Sequence, residues 1–189
     1  MIRYRGRQYT ALKPDQKAKK RQYLLEQFRR EDRIPTWEEV REYILVEAFP
    51  DDYPEDIPDE EHYEMIAEQY EGEYDASVDL LIQGMEGHDC WRAVKLPAGV
   101  DPTKHDDLGI YWSWEETGAF PYNAAGDGAL VTYHATIDWK YVNKEATVIQ
   151  NVTRSEEMEV RFYQHAPIFV YDVTLEDGTV LEINDWRRC

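Results

Sequence analysis

The feature that most constrains the fold is a change of hydrophobic period near residue 90. Ahead of it, apolar residues recur at helical spacing; after it, they alternate. The stretch TWEEVREYILVEAF places Val40, Tyr43, Ile44 and Phe49 on one side, and Thr36 followed by Glu39 is a capping-box pattern. After Pro14, DQKAKKRQYLLEQFRRED brings Tyr23, Leu24, Gln27 and Phe28 near one stripe. Two further helices are expected at about 58–70 and 75–85, with Met65, Ile66, Val78, Leu81 and Ile82 inward. From Cys90 the pattern reads as strands at CWRAVKL, LGIYWSW, ALVTYHATI, EEMEVRF, PIFVYDVTL and TVLEI, with Asp177-Gly178 as the last hairpin turn. EETGAFPYN reads as a short helix, and residues 2–12, with β-formers around Gly6, as a hairpin. Helices followed by strands imply an α+β fold. Residues 1–86 would form an N-terminal hairpin and helical region, and residues 87–189 an antiparallel or mixed β core.

Charge follows similar divisions. Residues 1–33 hold 11 Lys and Arg against 4 acids, and residues 34–89 hold 1 against 19. The remaining 100 residues carry 9 against 16, so the 189-residue chain has a formal charge of −18. Wrapping of nucleic acid by the whole surface is excluded, because that requires net positive charge. The basic 1–33 and acidic 34–89 segments instead suggest interaction arms for a protein partner, or for each other. The stretch PDDYPEDIPDEE, with three prolines and dense acid, reads as an exposed loop. No apolar run approaches the roughly 18 to 20 residues needed to cross a bilayer. The N-terminal MIRYRGRQYT lacks the apolar stretch of a secretory signal, so a cytoplasmic setting is expected. Two cysteines, Cys90 and Cys189, make no disulfide framework. The five histidines never fall at i,i+3 or i,i+4, so no metal site is expected.

Chemistry concentrates in three of the strand segments. On a strand, residues two apart share a face, so Glu157 and Glu159 project together while Met158, Val160 and Phe162 turn to the core. Paired carboxylates suit a reaction that develops positive charge or must remove a proton from an acceptor. In WRAV, alternation buries Trp91 and Ala93 and turns Arg92 the other way, where a guanidinium can clamp a phosphate or a carboxylate. In LGIYWSW, Tyr111 and Ser113 share a face opposite Ile110, Trp112 and Trp114. There the serine can orient a carboxylate and the tyrosine can offer a stacking surface.

Arg, Ser and Glu on successive strands resemble the ADP-ribosyltransferase family of the arginine-serine-glutamate type, over residues 90–175. The matching residues are Arg92 in WRAV, Tyr111-Trp112-Ser113, Glu157-Met158-Glu159, and PIFVYDV as the following core strand. The resemblance implies that fold for the β core, and the chain looks like a phage or prophage member. It implies NAD as substrate, with Arg92 on its pyrophosphate or ribose and Ser113 positioning Glu159. Glu159 would stabilise the cationic ribose centre, and Glu157 would activate an acceptor, with arginine as the expected one. Tyr111 would pack against nicotinamide or ribose, with Phe120 and Tyr122 as further candidates, and residues 149–155 would form the acceptor-presenting loop. One departure stands out. The family's Ser-Thr-Ser is here Ser113-Trp114-Glu115, and a carboxylate at the third position would repel phosphates.

Three functions therefore remain open: mono-ADP-ribosyl transfer to a protein side chain, a non-enzymatic phage virion or host-interaction protein on the same fold, and an acidic nucleic-acid mimic. A phage protein would work in the host cytoplasm or in the virion.

Overall fold

The computed structural model describes residues 2–4, 7–9, 19, 33–44, 59–83, 87–119, 128–153 and 158–189. In chain order its elements are strands β1 (Ile2–Tyr4) and β2 (Arg7–Tyr9), then helices α1 (Trp37–Tyr43) and α2 (Asp59–Gln83). Strands β3 (Asp89–Pro97), β4 (Tyr111–Ser113) and β5 (Gly128–Thr136) follow, then helix α3 (Lys144–Thr153). Strands β6 (Glu159–Arg161), β7 (Pro167–Leu175) and β8 (Val180–Arg188) complete the chain. The fold is α+β. The helix expected after Pro14 and the side chain of Phe49 lie outside the described residues.

β1 and β2 pair antiparallel, and the six later strands form one antiparallel sheet in the order β6-β4-β3-β5-β7-β8. Four of the six strands are nine residues long, and their alternation sends Val131, Tyr133, Ala135, Ile168, Val170 and Val173 into one core. The sheet curls around that core. Asp107 bridges to Arg188, the Leu108 N–H donates to the Arg188 carbonyl at 2.8 Å, and the Arg188 N–H donates to the Asp106 carbonyl at 2.9 Å. The segment leading into β4 thus meets the far edge, β8. The β7–β8 hairpin closes as expected, with Gly178 at φ +81, a backbone angle that glycine adopts without steric cost. There the Asp177 carboxylate accepts from the Thr179 N–H at 2.9 Å.

The helices form a second cluster. Val40 and Ile44 of α1 and its C-cap, Ile66 and Leu81 of α2, and Val148 and Val152 of α3 pack together, and Trp139 touches both clusters. The Thr36 capping box is present: Thr36 accepts from the Glu39 N–H at 3.3 Å, and Glu39 accepts from the Thr36 N–H at 2.9 Å. Tyr43, expected inward, is 37% exposed, because Val40 and Ile44 already fill the α1 contact.

Several expectations are corrected. The two helices expected at 58–70 and 75–85 are one 25-residue helix, α2. Gly72 lies within it, and a helix-interior glycine costs about 1 kcal/mol, which lowers stability without ending a helix. Its buried stripe is Ile66, Ser77 and Leu81, with Tyr70, Tyr74 and Val78 half-buried, so Met65 falls beside the stripe and is 40% exposed. The acceptor-presenting loop expected at 149–155 is helical through Thr153, its remaining residues lying outside the description. Asn143 explains the helix: its side chain accepts from the Ala146 N–H at 3.1 Å, an N-cap contact that satisfies an otherwise orphaned donor. Among the described residues, LGIYWSW forms a strand over Tyr111–Ser113 and EEMEVRF over Glu159–Arg161, each three residues long. Gly109 (φ +72) and Met158 (φ +46) turn the chain out of the ladder beside them. Of EETGAFPYN, only Glu116–Gly118 forms a single 3-10 turn among the described residues.

Candidate functional site

The site is built from the short strands. Ser113 is the register partner of Glu159 on β6 and of Trp91 on β3, and Trp91 is in turn the partner of His134 on β5. Register partners share a face, so Glu159, Ser113, Trp91 and His134 form one row across four strands, and Asp172 of β7 extends it. This face lies away from the strand core, which takes the alternate residues Trp112 and Val160. Trp91, expected in the core, is half-buried here and stacks on His134 at 5.3 Å and 5° between ring planes.

Glu159 is 5% exposed. A carboxylate this buried needs strong partners, since removing a charge from water otherwise costs far more than a fold can offset. Its side chain accepts from Arg161 Nε, on the same strand face two residues along. Arg161 also donates through Nη2 to Gln150 Oε1 at 2.7 Å, and its guanidinium lies 4.7 Å from the Tyr111 ring centroid. Helix α3 fixes the backbone. Asn151 accepts from the Glu159 N–H at 2.9 Å and donates to the Glu159 carbonyl at 2.8 Å, and Thr147 accepts from the Arg161 N–H at 3.0 Å. An asparagine that completes both backbone bonds of one residue replaces the missing neighbour of an edge strand.

Ser113 is buried, and its Oγ accepts from the Glu115 N–H at 3.1 Å, which leaves the hydroxyl hydrogen available to donate. The Glu115 side chain is exposed. Tyr111 is 43% exposed, between Arg161 and Arg92, whose guanidinium is 5.9 Å from its ring.

Arg92 follows Trp91, so its Cβ leaves β3 on the face of Cys90, Val94 and Leu96, opposite to Ser113 and Glu159. Its guanidinium reaches the Tyr111 carbonyl and donates to it. Space for this exists because residue 109 is glycine. A Cβ at Gly109 would lie 2.8 Å from Arg92 Nη2. Burial holds the Arg92 pKa below the ordinary arginine value, while the ionisable groups of Cys189, Glu159, Tyr111 and Asp107 act in the opposite direction. Arg92 Nε is buried without a hydrogen-bond partner among the described residues.

The structure therefore brings together Ser113, Glu159 and Tyr111, and sets Arg92 beside Tyr111 from the other face. Glu157, Phe120 and Tyr122 lie outside the described residues. Sequence reasoning missed Arg161, Gln150, Asn151 and His134. Arg161 was legible from strand alternation, two residues after Glu159; the α3 amides required recognising Asn143 as a helix cap. Among the described residues, no group of three or more His, Cys, Asp or Glu is arranged to hold a metal ion. No described helix is long and apolar enough to cross a membrane. Comparison with models of protein families, with curated proteins and with solved structures finds no match.

Proposed function

We propose that the chain is a mono-ADP-ribosyltransferase that moves ADP-ribose from NAD to a protein side chain, with arginine as the acceptor. The observation that carries this reading is the register of Ser113 with Glu159, a buried hydroxyl beside a buried carboxylate on adjacent strands. In the reaction the C–N bond between ribose and nicotinamide breaks, and its electron pair leaves with nicotinamide. Positive charge develops at the ribose C1′, and a fixed carboxylate in a site of low dielectric stabilises it more than mobile water does. Ser113, with a hydroxyl hydrogen to donate, would orient the Glu159 carboxylate. Tyr111 offers an exposed ring for the departing base, and Arg92, which reaches Tyr111 from the opposite face, is the residue the family resemblance assigns to the pyrophosphate. The acceptor nitrogen bonds to C1′ and gives up its proton to Glu157. Incubating the protein with labelled NAD and a mixed lysate tests this. Label should enter protein with wild type and not with Glu159→Gln, and equal labelling by both would remove Glu159 from the mechanism.

A second reading is a non-enzymatic interaction protein, such as a phage virion or host-interaction component. It is favoured by pairing within the protein: Arg161 with Glu159, Arg92 with the Tyr111 carbonyl, the Glu115 N–H with Ser113. Calorimetric titration with NAD separates the two, because this reading expects no heat of binding.

A further inference from the structure

We infer that Arg161 is a positioning residue for the proposed transfer, holding the Glu159 carboxylate in place on the strand face it shares with Ser113. This rests on the transferase reading and adds a residue to it. Three contacts carry the inference. Arg161 Nε donates to Glu159, Nη2 donates to Gln150 Oε1 at 2.7 Å, and the guanidinium plane lies 4.7 Å from the Tyr111 ring. Two of the three anchor Arg161 rather than Glu159, so the carboxylate is held against a group that is itself fixed. Helix α3 supplies the anchor, since Gln150 stands next to Asn151, which bonds both backbone groups of Glu159.

The chemistry requires such a group. At 5% exposure an unpaired carboxylate takes up a proton, and a neutral acid cannot stabilise developing positive charge. A guanidinium bonded through Nε keeps the charge and fixes its direction. Lysine carries its donors on one nitrogen rather than at two fixed positions, and has no planar face for Tyr111. Arg161 itself reaches solvent, with its side chain 26% exposed against 7% for Glu159.

The test compares Arg161→Met, Arg161→Ala, Arg161→Lys and Gln150→Ala with wild type, measuring NAD affinity and the rate of nicotinamide release separately. Arg161→Met should lower kcat about a hundredfold, the scale of a misplaced catalytic group, with NAD affinity within about threefold. In Arg161→Ala, which empties the position that methionine would fill, added guanidinium far below unfolding concentrations should restore part of the rate. Gln150→Ala, which leaves every charge paired, should lower kcat less and covers the case in which Arg161→Met does not fold. Arg161→Lys should resemble Arg161→Met. Unchanged kcat in Gln150→Ala and in a folded Arg161→Met, or equal loss of rate and affinity without guanidinium rescue, would overturn the inference while the transferase reading stands. A wild-type protein that neither binds nor cleaves NAD would overturn both.

Discussion

The two edge strands of the sheet carry the same local device and put it to different ends. On β8, Asp185 and Arg187 stand two residues apart and pair at 2.5 Å; on β6, Glu159 and Arg161, also two residues apart, form an ion pair as well. The β8 pair is sealed, with side chains 8% and 6% exposed, and Arg187 also donates to the carbonyls of Thr103 at 2.8 Å and Trp186 at 2.9 Å. The β6 pair buries its carboxylate equally but leaves the guanidinium reaching solvent beside an exposed tyrosine. Arg187 bonds Asp185 and Trp186 of β8 and Thr103 of the turn at Pro102–Lys104, so it clamps β8 to that turn. The β6 pair sits on a three-residue strand whose backbone is completed by a helix, and its row continues through Ser113 to Trp91. Burial of an ion pair alone does not mark a site. What distinguishes β6 is access from solvent and the chemistry of its neighbours.

That contrast can be broken by substitution. Arg187→Met should cost the most stability, about 3–5 kcal/mol, because it strands a buried carboxylate; urea unfolding measures it. A loss below about 1 kcal/mol would show that the β8 pair is no clamp. Gly109→Ala should cost about 1–2 kcal/mol for the left-handed backbone and push Arg92 off the Tyr111 carbonyl, which thermal unfolding and proton exchange at Arg92 would register. Glu159→Gln keeps the shape of the side chain and should cost less than about 2 kcal/mol while removing all activity. Were its stability loss as large as that of Arg187→Met, the two edges would not differ in kind.

The smallest effect belongs to the helical cluster. Thr36→Ala should cost about 1 kcal/mol through the lost cap. The Glu39 carboxyl is held below its ordinary 4.5, first by the hydrogen bond from Arg33 and then by the Thr36 backbone. A lowered carboxyl contributes stability above its unfolded pKa and loses it as pH falls through the folded value. Removing Arg33 should therefore move the Glu39 titration upward, read by carboxyl chemical shift, and flatten the acid side of the stability profile.

Legibility in the sequence followed the range of the forces involved. β3, β5 and β7 were readable to within a residue because alternation and turn residues are local signals. So was the start of α1, where Thr36 and Glu39 lie within one turn. β4 and β6 were overextended, since the ladder ends where Gly109 and Met158 take left-handed angles that neighbouring apolar residues do not announce. Helix α3 was hidden under a loop expectation borrowed from the family resemblance, although Asn143 and the apolar spacing of Val148 and Val152 were there to read. That Ser113 lies beside Glu159 was implied by the family resemblance and by no local pattern. The turning of Arg92 to the face opposite Ser113 depends on how β3 and β4 meet, which no local pattern records.

The most direct test is the release of nicotinamide from NAD, followed by chromatography, with wild-type protein and Glu159→Gln side by side. The transferase account expects release by the wild type and none above the uncatalysed rate by the folded variant. Release at the same rate from both, or from neither, contradicts it.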